Sequence, residues 1–117
     1  MGAIVPEAGA LYWPDFPYKA VARRFDVFLP MAYFTYRTSG FDDVYDFISN
    51  NVRTIRAKTG DRLVPIHVIG GVAQDATLRE TRAFVKAAAD RRVVGASLYD
   101  FTTTRHFQWD RLRNVPE

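Results

Sequence analysis

Four short apolar runs punctuate the chain: "GAIVP" at 2–6, "DVFLPMAYF" at 26–34, "LVPIHVIGGV" at 63–72 and "VVGASLYDF" at 93–101. Each has the length of a strand and none alternates strictly between apolar and polar residues, so the pattern predicts strands covered on both faces. The gaps between them carry helical signals. Asp15 is placed to cap "FPYKAVARRF", with Pro17 tolerated in the first turn. Phe41, Val44, Tyr45, Ile48, Val52 and Ile55 recur at spacings of three and four until Gly60 stops the run. "TLRE" at 77–80 reads as a capping box, in which the Thr77 hydroxyl accepts from the Glu80 amide and the Glu80 carboxylate reaches back; Leu78, Thr81, Val85 and Ala88 follow as an inner stripe. After the last run, Thr103 or Thr104 can cap "RHFQWDRLRNV", packed down by Phe107, Trp109 and Leu112.

Strand then helix, four times over at roughly the thirty-residue spacing of a βα unit, predicts an α/β protein with a parallel sheet. Such units build an open doubly wound sheet or part of a (β/α)8 barrel. Polar, aromatic and glycine residues at the carboxyl ends of the last three strands favour the barrel, because its sites lie there. A whole barrel takes about 250 residues, whereas this chain has 117. The expectation is a single domain over residues 1–117, a partial (β/α)8 TIM barrel of four βα units with parallel strands. A half-barrel exposes two strand edges and an apolar inner face, so it is expected to pair with its missing half or with itself as a homodimer.

The net charge of +3 is spread over Arg23/Arg24, Arg53/Arg56, Arg79/Arg82, Arg91/Arg92 and Arg111/Arg113. These pairs fall on separate helical faces mixed with Asp and Glu, a pattern that argues against nucleic-acid binding. The absence of cysteine excludes disulfides and thiolate metal sites and leaves the compartment open. No apolar stretch approaches the roughly 20 residues of a membrane span, and "MGAIVPEAGALYW" lacks the basic and apolar regions of an export signal, so no membrane contact is expected. His67 and His106 lie far apart without a carboxylate triad, and no metal is expected. There is no Gly-x-Ser-x-Gly elbow, Walker loop or Gly-x-Gly-x-x-Gly, and no cofactor is expected.

Chemistry is best sought at the strand ends. Alternate strand residues share a face, which pairs Met31 with Tyr33 and Ser97 with Tyr99. Tyr33 and Tyr99 can floor a cleft with their hydroxyls at its mouth, and Tyr36, Arg37, His67 and Trp13 can complete it. Sugars suit such a floor, since their C–H faces stack on aromatic rings while their hydroxyls meet polar groups. The same tyrosines also fit a core with one wet end, His67 fits a satisfied core histidine, and Trp13 fits a plug over the sheet edge. Glu7 after the first strand and Asp100 after the fourth are the carboxyl groups placed for catalysis; Asp42, Asp43 and Asp46 read as a solvated face and as first-turn acids favoured by the helix dipole. A second reading uses glycines: Gly70, Gly71, Gly95 and Ser97, with Ala96, resemble the paired segments of phosphate-binding barrels, although a glycine pair at a strand end also simply makes a turn.

"DVFLPMAYF" is similar to the strand of chitinase-like (family 18 type) glycoside hydrolase barrels that ends in Met-x-Tyr-Asp, and "VVGASLYDF" resembles their final strand. The run from Val64 to Thr104 looks like the closing units of uncharacterised, often exported bacterial barrels related to that superfamily. Met31 and Tyr33 match the Met and Tyr of the motif, Phe34 stands where its Asp should be, and Tyr99 takes the place of the closing aromatic. The resemblance implies the C-terminal half of such a barrel, a glycoside hydrolase ancestry, a carbohydrate partner and an exported parent. The Asp-x-x-Asp-x-Asp-x-Glu motif that supplies the catalytic acid in that family is absent from this sequence, so hydrolysis would require completion by a missing N-terminal half, and the alternative is a non-catalytic carbohydrate-binding or structural unit.

Overall fold

The computed structural model describes residues 1–8, 13–100, 102, 104–113 and 115. In chain order these form β1 (Gly2–Val5), α1 (Tyr18–Ala22), β2 (Val27–Pro30), α2 (Phe41–Thr59), β3 (His67–Val72), α3 (Leu78–Asp90), β4 (Gly95–Tyr99) and α4 (His106–Leu112), with short 3-10 turns at Phe34–Tyr36 and Ala73–Asp75. The protein is thus α/β, with strand and helix alternating as the apolar runs predict.

The long helices follow from local chemistry. In α2, Val44, Ile48, Val52 and Ile55 form one fully buried stripe. Asp42 and Asp43 occupy its first turn, Arg56 and Lys58 its last, and Gly60 ends it at φ 74°, where a β-carbon is costly. In α3 the capping box is formed: the Glu80 amide donates to Thr77 Oγ1 at 3.1 Å and the Thr77 amide to Glu80 Oε1 at 3.0 Å. The other oxygen, Oε2, accepts from the Gly40 amide at 3.1 Å, so one carboxylate serves the amino ends of both α2 and α3. The inner stripe of α3 is Thr81, Phe84, Val85 and Ala88, while Leu78, in the first turn, is exposed.

The short helices depart from expectation. Pro17 rather than Asp15 precedes α1 and provides no side-chain cap, since the helix begins only at Tyr18, too far along for Asp15. Ahead of α4, Thr104 donates to the Asp100 carbonyl at 2.6 Å, and Thr103 lies outside the described residues. The Arg105 amide instead donates to Gln108 Oε1 at 2.8 Å. Gln108 is fully buried and donates to the Ala73 carbonyl at 2.8 Å, and Leu112 packs against the core as expected, so α4 is held down by an amide as well as by its apolar side, while Trp109 is exposed.

β1 pairs with β2 and β3 with β4, each pair parallel, with Ile4 opposite Leu29 and His67 opposite Gly95. Parallel bridges Phe28–Ile66 and Met31–Ile69 span the two small sheets, supported by Phe28 N donating to the Pro65 carbonyl and Ala32 N to the Ile69 carbonyl. The helices pack in the same sequence, α1 on α2, α2 on α3 and α3 on α4.

Burial corrects the expectation of strands covered on both faces. Val5, Phe28, Val68 and Leu98 are buried beneath the helices. Their neighbours point the other way: Ile4 is 67% exposed, Met31 37% and Tyr99 53%, with Leu29 and Ile69 only partly covered. Over β1, β2 and Ile69 the open face is apolar too, which is why little polar alternation marks it in the sequence; His67 and Ser97 are its polar members on β3 and β4.

Candidate functional site

At the carboxyl end of the strands the chain leaves β2 through Met31, Ala32 and Tyr33 and turns tightly over Phe34–Tyr36. Phe34 is fully buried, with its ring 5.7 Å from that of Phe84. This inward anchor turns Tyr33 and Tyr36 to the opposite side. A carboxylate at position 34 would be buried among aromatic rings.

Tyr33 is the centre of a three-ring strip. Its centroid lies 6.1 Å from that of Tyr36 and 6.0 Å from that of Tyr99, tilted by 54° and 40°. Tyr36 is 68% exposed. Burial first, and then the neighbouring Tyr99 and Tyr36, push the Tyr33 phenol above its ordinary range, so it stays protonated and able to donate. Beside the strip, Arg37 Nε donates to Glu7 Oε1 at 2.6 Å. Pro6, Glu7, Met31, Tyr33, Tyr36 and Arg37 line a cleft of about 200 Å³.

The structure therefore brings Tyr33, Tyr36, Tyr99, Arg37 and Glu7 to one end of the strands. Glu7, read from sequence as a catalytic carboxyl, is engaged by Arg37, a pairing across thirty residues and two loops that sequence spacing does not signal. Asp100, joined to Tyr99 by a cis peptide, takes the Thr102 hydroxyl at 2.9 Å on Oδ1. Trp13 lies elsewhere among the aromatics: it packs edge-on against Phe16, which leads through Tyr18 to Phe28 on the helix-covered face.

His67 begins β3 and sits opposite Gly95. Tyr99 lies four strand steps beyond Gly95, roughly 13 Å at the rise of a strand, so His67 lies toward the opposite end from the tyrosine strip. Its Nε2 meets Ser97 Oγ at 3.1 Å, and burial holds the imidazole below its ordinary range.

The glycines are explained by close packing. A β-carbon on Gly70 would lie 2.8 Å from the Phe84 ring, one on Gly71 2.5 Å from Thr35 Cγ2, and one on Gly95 2.5 Å from His67 Nδ1. The Val72 amide that follows the glycine pair donates to Thr35 Oγ1 at 3.0 Å. Gly70 and Gly71 lie near the carboxyl end of β3 with Ser97 opposite the adjoining Ile69, whereas Gly95 opens β4 opposite His67, so the glycines of the phosphate reading are not brought together at one end.

Among the described residues no three His, Asp or Glu side chains converge as a metal site would require, and no helix is long and apolar enough to cross a membrane. Compared with family models, with curated proteins and with solved structures, the chain matches none.

Proposed function

We propose that this chain is part of a (β/α)8 barrel, glycoside hydrolase-like in form, and presents a carbohydrate-contacting surface at its strand ends. Parallel strands linked in chain order, with helices packed in the same order, fit the wall of a barrel; a doubly wound sheet carries helices on both faces. The observation that carries the binding reading is the tyrosine strip. Of three adjoining rings, two of them largely exposed, Tyr33 and Tyr36 line a cleft whose polar wall is the Glu7–Arg37 pair, and Tyr99 extends the strip beyond it. Rings of this kind stack on the C–H face of a sugar, while the phenols, the carboxylate and the guanidinium exchange hydrogen bonds with its hydroxyls.

Binding is favoured over hydrolysis for these residues. Glycoside hydrolysis needs two carboxyl groups across the scissile bond, or one acid assisted by the substrate. Glu7 is ion-paired with Arg37 and the Asp100 carboxylate accepts from the Thr102 hydroxyl, so each is already engaged by a neighbouring side chain. The phosphate alternative gains no support, because its glycines lie at different strand ends and face side chains.

Titration with chito-oligosaccharides, followed through the tyrosine ring resonances, tests the reading. Tyr99→Ala and Tyr36→Ala remove exposed rings, and each is expected to raise Kd about tenfold, the equivalent of ~1.4 kcal/mol. Tyr45→Ala on α2, whose hydroxyl donates to Asp90, is expected to leave Kd unchanged. No saturable shift, or equal weakening by all three variants, overturns the proposal.

A further inference from the structure

The open face of the sheet is apolar over Ile4, Leu29, Met31 and Ile69, and the charge beside it selects what can cover it. α1 and α4 are the outer helices of the row, and in the proposed barrel they come beside the edge strands β1 and β4. In a βα unit the helix returns antiparallel to its strand, so the carboxyl ends of both helices lie level with the amino ends of the strands. At that level α1 and its exit carry exposed Arg23 and Arg24, and the last turn of α4 carries Arg111 and Arg113. Lys19 adds a further exposed charge on α1. Among the described residues no carboxylate pairs with Lys19, Arg23, Arg24 or Arg111, while Arg113 is shared with Asp110 at 2.7 Å.

Two copies closing an eight-stranded barrel about a two-fold axis would set α1 of each beside α4 of the other. Arginine would then face arginine at both seams. Like charges across an interface disfavour a wrong partner, and opposite charges favour the right one.

We infer that the open face docks a polypeptide unit other than a second copy: one that offers an apolar parallel-sheet face between acidic outer helices. Ile4, Leu29, Met31 and Ile69 would make its apolar contact, and Arg23, Arg24 and Arg111 its charged seams. This inference rests on the barrel part of the proposed function and is independent of the sugar.

The test gives the chain the acidic seam it lacks. Sedimentation of the wild-type chain is expected to show a monomer at low salt, with any self-association strengthening as salt screens the arginines. Arg23→Glu/Arg24→Glu is expected to dimerise at least about tenfold more tightly than wild type, and to weaken as salt rises. Adding Ile4→Lys to that variant is expected to abolish the gain. Should the α1 variant not fold, Arg111→Glu/Arg113→Glu reverses the other seam and has the same expected outcome. A wild-type dimer at low salt, a folded reversal variant no tighter than wild type, or a gain that survives Ile4→Lys overturns the inference. A wild-type dimer that Ile4→Lys abolishes overturns the seam but keeps the barrel reading it rests on, whereas reversal variants that never pair remove the barrel reading too, so the two failures are distinguishable.

Discussion

His67 shows how a single side chain on the open face makes stability depend on pH. Burial lowers its folded pKa, whereas the unfolded chain takes up its proton near the ordinary value of about 6.5. Below that pH the unfolded state binds more protons than the native state, so stability falls on acidification and levels off once the native imidazole is charged as well. Urea unfolding at pH 7.5 and 5.5 is expected to show a larger acid loss for wild type than for His67→Gln, which keeps a polar group near Ser97 but does not titrate. Equal losses would remove His67 as the source. The position of such residues was only partly legible beforehand. Tyr33 and Tyr99 announce themselves because strand periodicity is local, but the contact between His67 and Ser97 depends on which strands pair and in what register.

The elements whose signals are local were the ones the sequence described well. The stripe of α2, the αL stop at Gly60 and the capping box of α3 all lie within one or two helical turns of the residues that specify them. In α4 the helix and the packing of Leu112 were legible, but the anchor Gln108 was not, because it reaches carbonyls at Ala73 and Ala76, more than thirty residues away. Glu80 combines both kinds of information: its bond to Thr77 is legible, its bond to Gly40 is tertiary. Thr77→Ala is therefore expected to cost about 1 kcal/mol, the usual loss of a cap. Glu80→Ala is expected to cost more, roughly 2–3 kcal/mol, because it strips a charged acceptor from two helix starts at once. Chemical denaturation of the two variants checks the order, and equal costs would mean that the contact with Gly40 contributes nothing.

For the molecule as a whole, the decisive property is that its sheet has one covered and one open apolar face. Hydrophobic patterning reports that a side chain is apolar; it does not report whether anything lies against it, so the four runs read as doubly covered. Adjacent residues of β1 separate the two conditions. Val5 is 1% exposed beneath the helices, while Ile4 is 67% exposed on the opposite side. A lysine at position 5 would bury an unpaired ammonium, and Val5→Lys is expected to prevent folding. Ile4→Lys places the same charge in water; its cost in stability is expected to stay within about 0.5 kcal/mol, and binding of an apolar dye to the folded chain is expected to fall. Thermal melts and dye titration of both variants measure the sidedness directly. If Ile4→Lys destabilises the isolated chain as strongly as Val5→Lys, then β1 is covered on both faces, as the sequence pattern alone reads, and neither an open face nor a partner to cover it is required.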